Sequence, residues 1–315
     1  MKIKTIMNMT AERIDIMPIR TDLALECREM FAEEISGVES TRKDSDGITV
    51  THVKITTQEG ADKIGKPIGS YVTIEIDEML HENEDILNRG AQAVCDELKK
   101  LVKISPEDSV LVVGLGNRYI TPDSIGPKTV GKLTVTRHIT KEGGGGFDFS
   151  VRPVSAVAPG VLGITGIETS EIVKGVLTHV KPSLIIAVDA LASRKLSRLG
   201  TTVQLSDTGI SPGSGVRNNR KELTEKTLGV PVIAIGVPMV VDAVTLSIDI
   251  METVSKHLQE KSSISAASFP NGDSMSLLKS AISENMVVTP NDVDVIAEQA
   301  SDIIADGINM ALLQN

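Results

Sequence analysis

The sequence predicts an α/β protein with a mostly parallel sheet flanked by helices, and three observations predict it. Four short apolar runs, VLVVGLG (110–116), VSAVAPG (154–160), LIIAVDA (184–190) and VIAIGVP (232–238), stop at Gly, Pro or Asp. Runs of that kind read as strands covered on both faces, as in a parallel sheet. Helix-like segments alternate with them, which is the rhythm of α/β folds. Ahead of them, β-branched runs crowd residues 47–76, an N-terminal β-rich elaboration of the main sheet.

In chain order, residues 1–22 are Met-rich and weakly patterned, and read as an arm outside the core. Residues 23–315 then form a single α/β domain, a length sufficient to bury a large core. GITVTHVKITT and SYVTIEI read as strands joined by turns around GADKIGKPIG. Leu87, Ala91, Val94, Leu98 and Leu101 step by four and three, giving an amphipathic helix. Further helices are expected at 170–180, 190–199 and 240–260. The polar stretch KSSISAASFPNGDSM opens a flexible insertion over 261–285. Thr289 as N-cap and Pro290 at the first helical position start a helix running to about 313.

Composition narrows the function classes. Charged residues make up 23% and hydrophobic residues 41%, with a net charge of −10 and no long Lys/Arg run. Such a surface does not track a phosphate backbone, and 2% aromatics without Trp leaves no base-stacking platform, so no nucleic acid is expected as a direct ligand. Cys27 and Cys95 form no metal or disulfide pattern, and no apolar run can span a bilayer, so a cytoplasmic protein without a membrane partner is expected. His52, His81, His138, His179 and His257 are scattered without ligand spacing, so no metal and no cofactor is expected.

The richest segment is VLVVGLGNRYITPDSIGPKTV, 110–130. Its Gly114-Leu115-Gly116 suggests a dinucleotide fingerprint, but Tyr119 stands where the third glycine belongs. Asp123 sits beyond a strand end and before a helix, and Asp189 follows LIIAV at the same kind of place. Strand C-termini share one edge of a parallel sheet, so the two carboxylates can face each other there. Paired carboxylates can divide their roles, one activating water while the other, protonated, polarises a carbonyl. Helix capping is the plainer role for an Asp at such a junction. Asn117, Asp207 (closing the run TTVQL) and His138 are candidate supporting residues. Asp207-Thr208-Gly209 matches the tripeptide of pepsin-like proteases, but those are all-β folds needing two such loops. Ser211 to Arg220 can form an anion nest or an ordinary turn before a helix near Lys221. Gly143 to Gly146 read as a loop tip, and the cysteines as core residues.

Together, RTDLA (20–24), GLGNRYITPDSIGPKTV, RPVSAVAPGVLGITGIETSEIVKGV, SLIIAVDALASRKL, SDTGISPGSGVRNNRKEL, GVPVIAIGVPMVVDAV and MVVTPNDVD resemble the germination proteases of spore-forming bacteria. The matches run in family order over most of the chain. The resemblance implies a fold related to the hydrogenase-maturation endopeptidases, with catalytic carboxylates at Asp123 and Asp189. It also implies an aspartic-type endopeptidase that degrades small acid-soluble spore proteins in the forespore or spore core. Synthesis as a zymogen and a homotetrameric assembly come with it. The family cleaves after an acidic residue and before a hydrophobic residue followed by Ala, so Asp22-Leu23-Ala24 places the processing bond between Asp22 and Leu23. Ile19 departs from the acidic residue favoured three positions earlier, which implies slower or more conditional processing. A chain that starts at Met1 is expected to carry the arm unprocessed. The alternatives are a metal-sensing maturation endopeptidase, marked by tight nickel binding, and a non-catalytic nucleotide- or phosphate-binding module.

Overall fold

The computed structural model describes residues 19–77, 84–105, 107–141, 151–211, 221–261, 281–282 and 286–313. The first elements are α1 (Ala24–Glu29), β1 (Val38–Ser45), β2 (Ile48–Ile55), α2 (Gln58–Ile64), β3 (Gly69–Ile76) and α3 (Glu84–Leu101). Next come β4 (Val110–Gly114), α4 (Ile125–Lys132), α5 (Arg137–Lys141), β5 (Val154–Val157), α6 (Leu162–Thr165), α7 (Thr169–Val180) and β6 (Leu184–Ser193). The last are β7 (Thr202–Ser206), α8 (Glu225–Leu228), β8 (Val232–Asp242), α9 (Ala243–Lys261), β9 (Val287–Val288) and α10 (Val293–Leu313). Single 3-10 turns occupy Thr121–Asp123 and Leu196–Arg198.

The strands form one nine-stranded sheet in the order β1-β2-β3-β7-β8-β6-β4-β5, with β9 beside β8. Strands β5, β4, β6 and β8 pair in parallel. The N-terminal meander β1-β2-β3 pairs antiparallel and joins β8 through the antiparallel β7. Parallel pairing therefore covers one half of the sheet, and the β-rich elaboration extends the same sheet.

One face is covered by α3 and α10, which close over Val112, Ile186, Val188 and Ile235. The other face carries two separate apolar clusters. One joins α1 and α2 to Val53, Ile55 and Tyr71, and the other joins Val173 of α7 to Leu111, Val113, Ile185 and Ala187. Cys27 packs in the first of these clusters and Cys95 is buried on α3. Burial pushes the Cys27 thiol up, as it does for a core residue.

Several elements differ from the sequence expectation. The helix expected over 190–199 is absent, because β6 continues to Ser193 by pairing Ala192 and Ser193 with Val240 and Val241 past a bulge. Helix-favouring Ala and Leu are overridden there by sheet pairing. Likewise β8 continues to Asp242, and Asp242 Oδ1 then accepts from Thr245 N at 2.9 Å, capping α9. The C-terminal helix begins at Val293 rather than Pro290, and the Thr289 hydroxyl instead donates to Met239 O. Residues 58–64 form α2, capped by Thr57, where turns were expected. The segment near Lys221 is not a helix start: Thr224 caps α8. Residues 1–18, His81, Gly143 to Gly146, positions 212–220 and most of the 261–285 insertion lie outside the described residues, as does the His257 side chain.

The described end of the arm does not stand apart from the core. Arg20 Nη1 donates to Asp242 Oδ2 at 2.9 Å, and Lys66 Nζ donates to Thr21 O at 3.4 Å. Just beyond it, α1 is fastened to the segment after β6: Glu29 accepts from Arg198 and Lys195, both at 2.6 Å at their nearest. Burial alone would push the Glu29 carboxyl up, but these cationic donors overcome that and hold it at about 2. A lowered carboxyl contributes stability that is present above its unfolded pKa and lost as pH falls through the folded one. Discounted for partial exposure, the contribution is about 1–2 kcal/mol. A urea titration repeated from pH 6 to pH 2 is expected to show this loss between about pH 4.5 and pH 2, and Glu29→Gln to remove it.

Candidate active site

The gap between the two apolar clusters is a pocket of about 300 Å³, large enough for roughly ten waters. Asp22, Lys66, Tyr71, Asp189, Gln204 and Glu222 line it, with Gly236 among the floor residues. Register explains the grouping. Gly236 of β8 pairs with Asp189 of β6 on one side and Gln204 of β7 on the other. Residues paired across a sheet project to the same face, so Asp189 and Gln204 rise from one row, roughly 10 Å apart. Burial pushes the neighbouring Tyr71 phenol up to about 12, and its hydroxyl donates to Pro67 O.

Asp189 lies inside β6 rather than beyond it, is 5% exposed, and accepts from the Ala190 N–H at 2.9 Å. It heads no helix, so it is not a cap. Asp123 ends its 3-10 turn, and its Oδ2 accepts from Asn117 N at 2.9 Å, closing the loop after β4 rather than capping α4. Asp189 lines the pocket, and Asp123 lies outside its lining, on a turn that packs beside β6. Leu115 N donates to Val188 O at 2.7 Å, Asp189 follows Val188, and the turn bearing Asp123 packs against β6.

Glycines make this close packing possible. Gly116 has φ +107°, and a Cβ there would lie 2.1 Å from Asp123 O. At Gly126 a Cβ would lie 2.2 Å from Leu115 O and 2.6 Å from Val188 O, so α4 can approach the strand ends only with glycine. These glycines serve backbone packing under the Asp123 turn and need no phosphate to account for them. Gly126→Ala is expected to cost about 2–3 kcal/mol by overpacking against rigid backbone, and to displace the turn that carries Asp123. A thermal melt alongside amide exchange of the loop over 117–124 checks both effects.

The Asp22–Leu23 bond lies against this row. Asp22 N donates to Ala192 O and Ala192 N donates to Asp22 Oδ2, both at 2.8 Å. Gln204 Nε2 donates to Asp22 O at 3.2 Å, and Ala24 N donates to Gln204 Oε1 at 2.8 Å. Leu23 itself is fully buried.

A family profile described as "Germination protease" matches residues 19–274. Curated relatives of that name agree over nearly the whole length. One from Caldanaerobacter subterraneus subsp. tengcongensis is 47% identical over 309 residues, covering 95% of each chain. One from Clostridium perfringens is 46% identical over 311 residues, covering 94% of this chain and 96% of its own.

The chain belongs to the germination protease family.

As a germination protease family member it is a protease, hence a hydrolase. Among solved structures, the hydrogenase maturation protease HycI from Thermococcus kodakarensis KOD1 overlaps 67% of this chain and 98% of its own at 16% identity. Its TM-score of 0.33 carries no argument about fold or chemistry.

In this family member the other sequence candidates separate. Asn117 stands beside Asp123 through its backbone N–H, while its side chain accepts from Tyr119 N at 3.0 Å. Asp207 is exposed and anchors the start of β3, accepting from Ser70 N at 2.7 Å, while its neighbours Ser206 and Thr208 line the pocket with Asp189. His138 is exposed on α5, which follows Thr136, and Thr136 is bonded to Val154 at the start of β5. That is the opposite end of the strands from Asp123, roughly 13 Å away along β4. Sequence reasoning missed Gln204, though an amide inside the run TTVQL was a signal: a polar residue in a buried strand demands a partner. It also missed Glu26 and Arg198, whose pairing is visible only once α1 docks beside β6. Among the described residues no group of three or more His, Cys, Asp or Glu is placed to hold a metal ion, and no helix is long and apolar enough to cross a membrane.

Proposed function

We propose that this germination protease family member is an aspartic-type endopeptidase that degrades small acid-soluble, DNA-binding spore proteins during germination. It is made as a zymogen and releases its arm by cutting between Asp22 and Leu23, with Asp123 and Asp189 as the working carboxylates. The observation that carries this reading is the docking of that bond in the pocket lined by Asp189, close to the rim where the Asp123 turn packs on β6.

The chemistry balances with two carboxyl groups and one water. An ionised carboxylate takes a proton from water as the water oxygen adds to the Asp22 carbonyl carbon. The protonated partner hydrogen-bonds the carbonyl oxygen and supplies a proton to the Leu23 nitrogen as the C–N bond breaks. The products are a carboxyl at Asp22 and an amine at Leu23. Departure of the arm then frees the pocket for another chain. An acidic residue before the bond suits the site, because the Ala192 N–H receives the Asp22 carboxylate. A net charge of −10 suits substrates that are DNA-binding proteins, since the enzyme does not compete for their DNA. The reading includes a homotetramer acting in the forespore or spore core.

The test is an intact-mass time course of the full chain with a small acid-soluble spore protein, at mildly acid and neutral pH, with and without EDTA. Release of residues 1–22 and cleavage of the substrate after acidic residues, both surviving EDTA, is the expected result. Loss of cleavage in EDTA would move the chemistry to a metal. A chain beginning at Leu23 that leaves the spore protein intact would sink the substrate assignment.

A further inference from the structure

We infer that Gln204 is the residue that grips the scissile peptide and polarises its carbonyl, both in self-processing and in the cutting of substrates. The inference rests on the reading of Asp22–Leu23 as the processing bond. Its own support is independent of the aspartates: one carboxamide bonds the chain on both sides of Leu23. Gln204 Nε2 donates to the carbonyl oxygen of Asp22 at 3.2 Å, and Gln204 Oε1 accepts from the N–H of Ala24 at 2.8 Å.

A primary amide is the side chain suited to this. It offers a donor and an acceptor in one plane, and so pairs with an extended peptide as a neighbouring strand would. Gln204 is 8% exposed and fixed in β7, between β3 and β8, so the amide is held by rigid sheet rather than by a loop. Position 236, between Gln204 and Asp189 in the row, is glycine, and the Leu191 side chain of β6 occupies the space over it. The docked chain is tied to β6 as well, with Asp22 N and Oδ2 both bonded to Ala192. The peptide is thus held from two strands, β6 through Ala192 and β7 through Gln204.

The consequence for catalysis follows from where charge develops. When water adds to the Asp22 carbonyl carbon, the carbonyl electron pair moves onto its oxygen, and the Gln204 N–H already points at that oxygen. A preorganised donor strengthens its bond as the oxygen becomes negative, and removing one such donor typically costs about 10²–10³ in rate. The acceptor half does different work: it fixes the register of the chain after the bond, so that residue 22 and not its neighbours faces the pocket.

The two halves can be separated. Gln204→Met keeps side-chain length and removes both hydrogen bonds. Gln204→Glu keeps the acceptor for Ala24 N–H and loses the donor to Asp22 O. Full chains of wild type and both variants are incubated at neutral pH, arm release is followed by intact mass, and amide exchange is followed at Ala24. Wild type is expected to lose residues 1–22, and both variants to do so about 10²–10³-fold more slowly. Ala24 protection is expected to persist in Gln204→Glu and to vanish in Gln204→Met, a split that a purely structural role would not produce. If Gln204→Met fails to give a cooperative melt, Gln204→Glu alone decides. Arm release at the wild-type rate by a folded variant overturns the role of Gln204 while leaving the processing bond intact. A wild-type chain that releases its arm elsewhere, or not at all, overturns the processing reading and this inference with it.

Discussion

Asp189→Asn in the full chain is expected to abolish measurable release of residues 1–22, with a rate loss of about 10²–10⁴, while the melting temperature changes little. The amide has the same shape as the carboxylate and still accepts from Ala190 N–H, so the local geometry of β6 survives. What it loses is the capacity to take or give a proton. Asp123→Asn is expected to behave in the same way, since an asparagine oxygen there can still accept from Asn117 N–H and hold the loop after β4. The double variant is expected to lose little more than either single one, because groups that act as a unit are not additive. His138→Ala supplies the contrast: it stands exposed at the far end of the strands, and wild-type processing is expected. Arm release followed by intact mass, with a circular dichroism melt on each sample, checks all four. A folded Asp189→Asn chain that processes at the wild-type rate would remove the paired-carboxylate mechanism.

Much of this arrangement was legible in the sequence, and what was not has a physical reason. Strands β4, β6 and β8 announced themselves because each is buried on both faces, and burial on both faces leaves a continuous apolar run such as VLVV or LIIAV, whereas β5 at the sheet edge is mostly part-buried. The position of Asp123 followed from a strand, a loop and Gly126-Pro127 opening a helix. Asp189 was singled out on a partly mistaken reading. It was placed beyond a strand, whereas β6 continues to Ser193 because β8 runs alongside that far. Pairing between strands 40 or more residues apart decides where each one stops, and no local pattern reports it. The same holds for Gln204, whose meaning depends on Gly236 standing between it and Asp189. Capping was the plainer expectation for both aspartates. Each is instead occupied by an N–H that belongs to no helix, Asn117 N for Asp123 and Ala190 N for Asp189.

Arg198→Ala is expected to be the most destabilising exchange at the arm, costing about 3–5 kcal/mol and lowering the melting temperature by roughly 5–8 °C for a chain of this length. The guanidinium is 6% exposed and reaches three carboxylates: Glu26 at 3.3 Å, Glu29 at 2.6 Å and Glu75 at 2.9 Å. Burial alone would weaken its hold on the proton, but the bonds to Glu29 and Glu75 more than offset that, so it stays charged at every accessible pH. Glu26 is the reason the loss is large. Its side chain is fully buried and accepts from Arg194 N at 2.6 Å, Lys195 N at 3.0 Å and the Thr21 hydroxyl. Without Arg198 those bonds remain, but the fully buried carboxylate loses the nearest cation among its contacts, which is the costly way to break a buried pair. Arg198→Lys keeps the charge and loses the fork, so an intermediate loss is expected, since one ammonium cannot match three carboxylates. Processing should suffer as well, for a geometric reason. Glu26, three residues past Leu23 in α1, ties that helix to the backbone just after β6, five residues past Asp189. Loosening that tie lets the Asp22–Leu23 bond shift relative to the carboxylates proposed to activate water there, and small misplacements of a reacting bond are expensive. A chemical melt and an arm-release time course on the same Arg198→Ala sample should therefore fall together. A stable variant with normal processing would show that α1 is held chiefly by its apolar cluster.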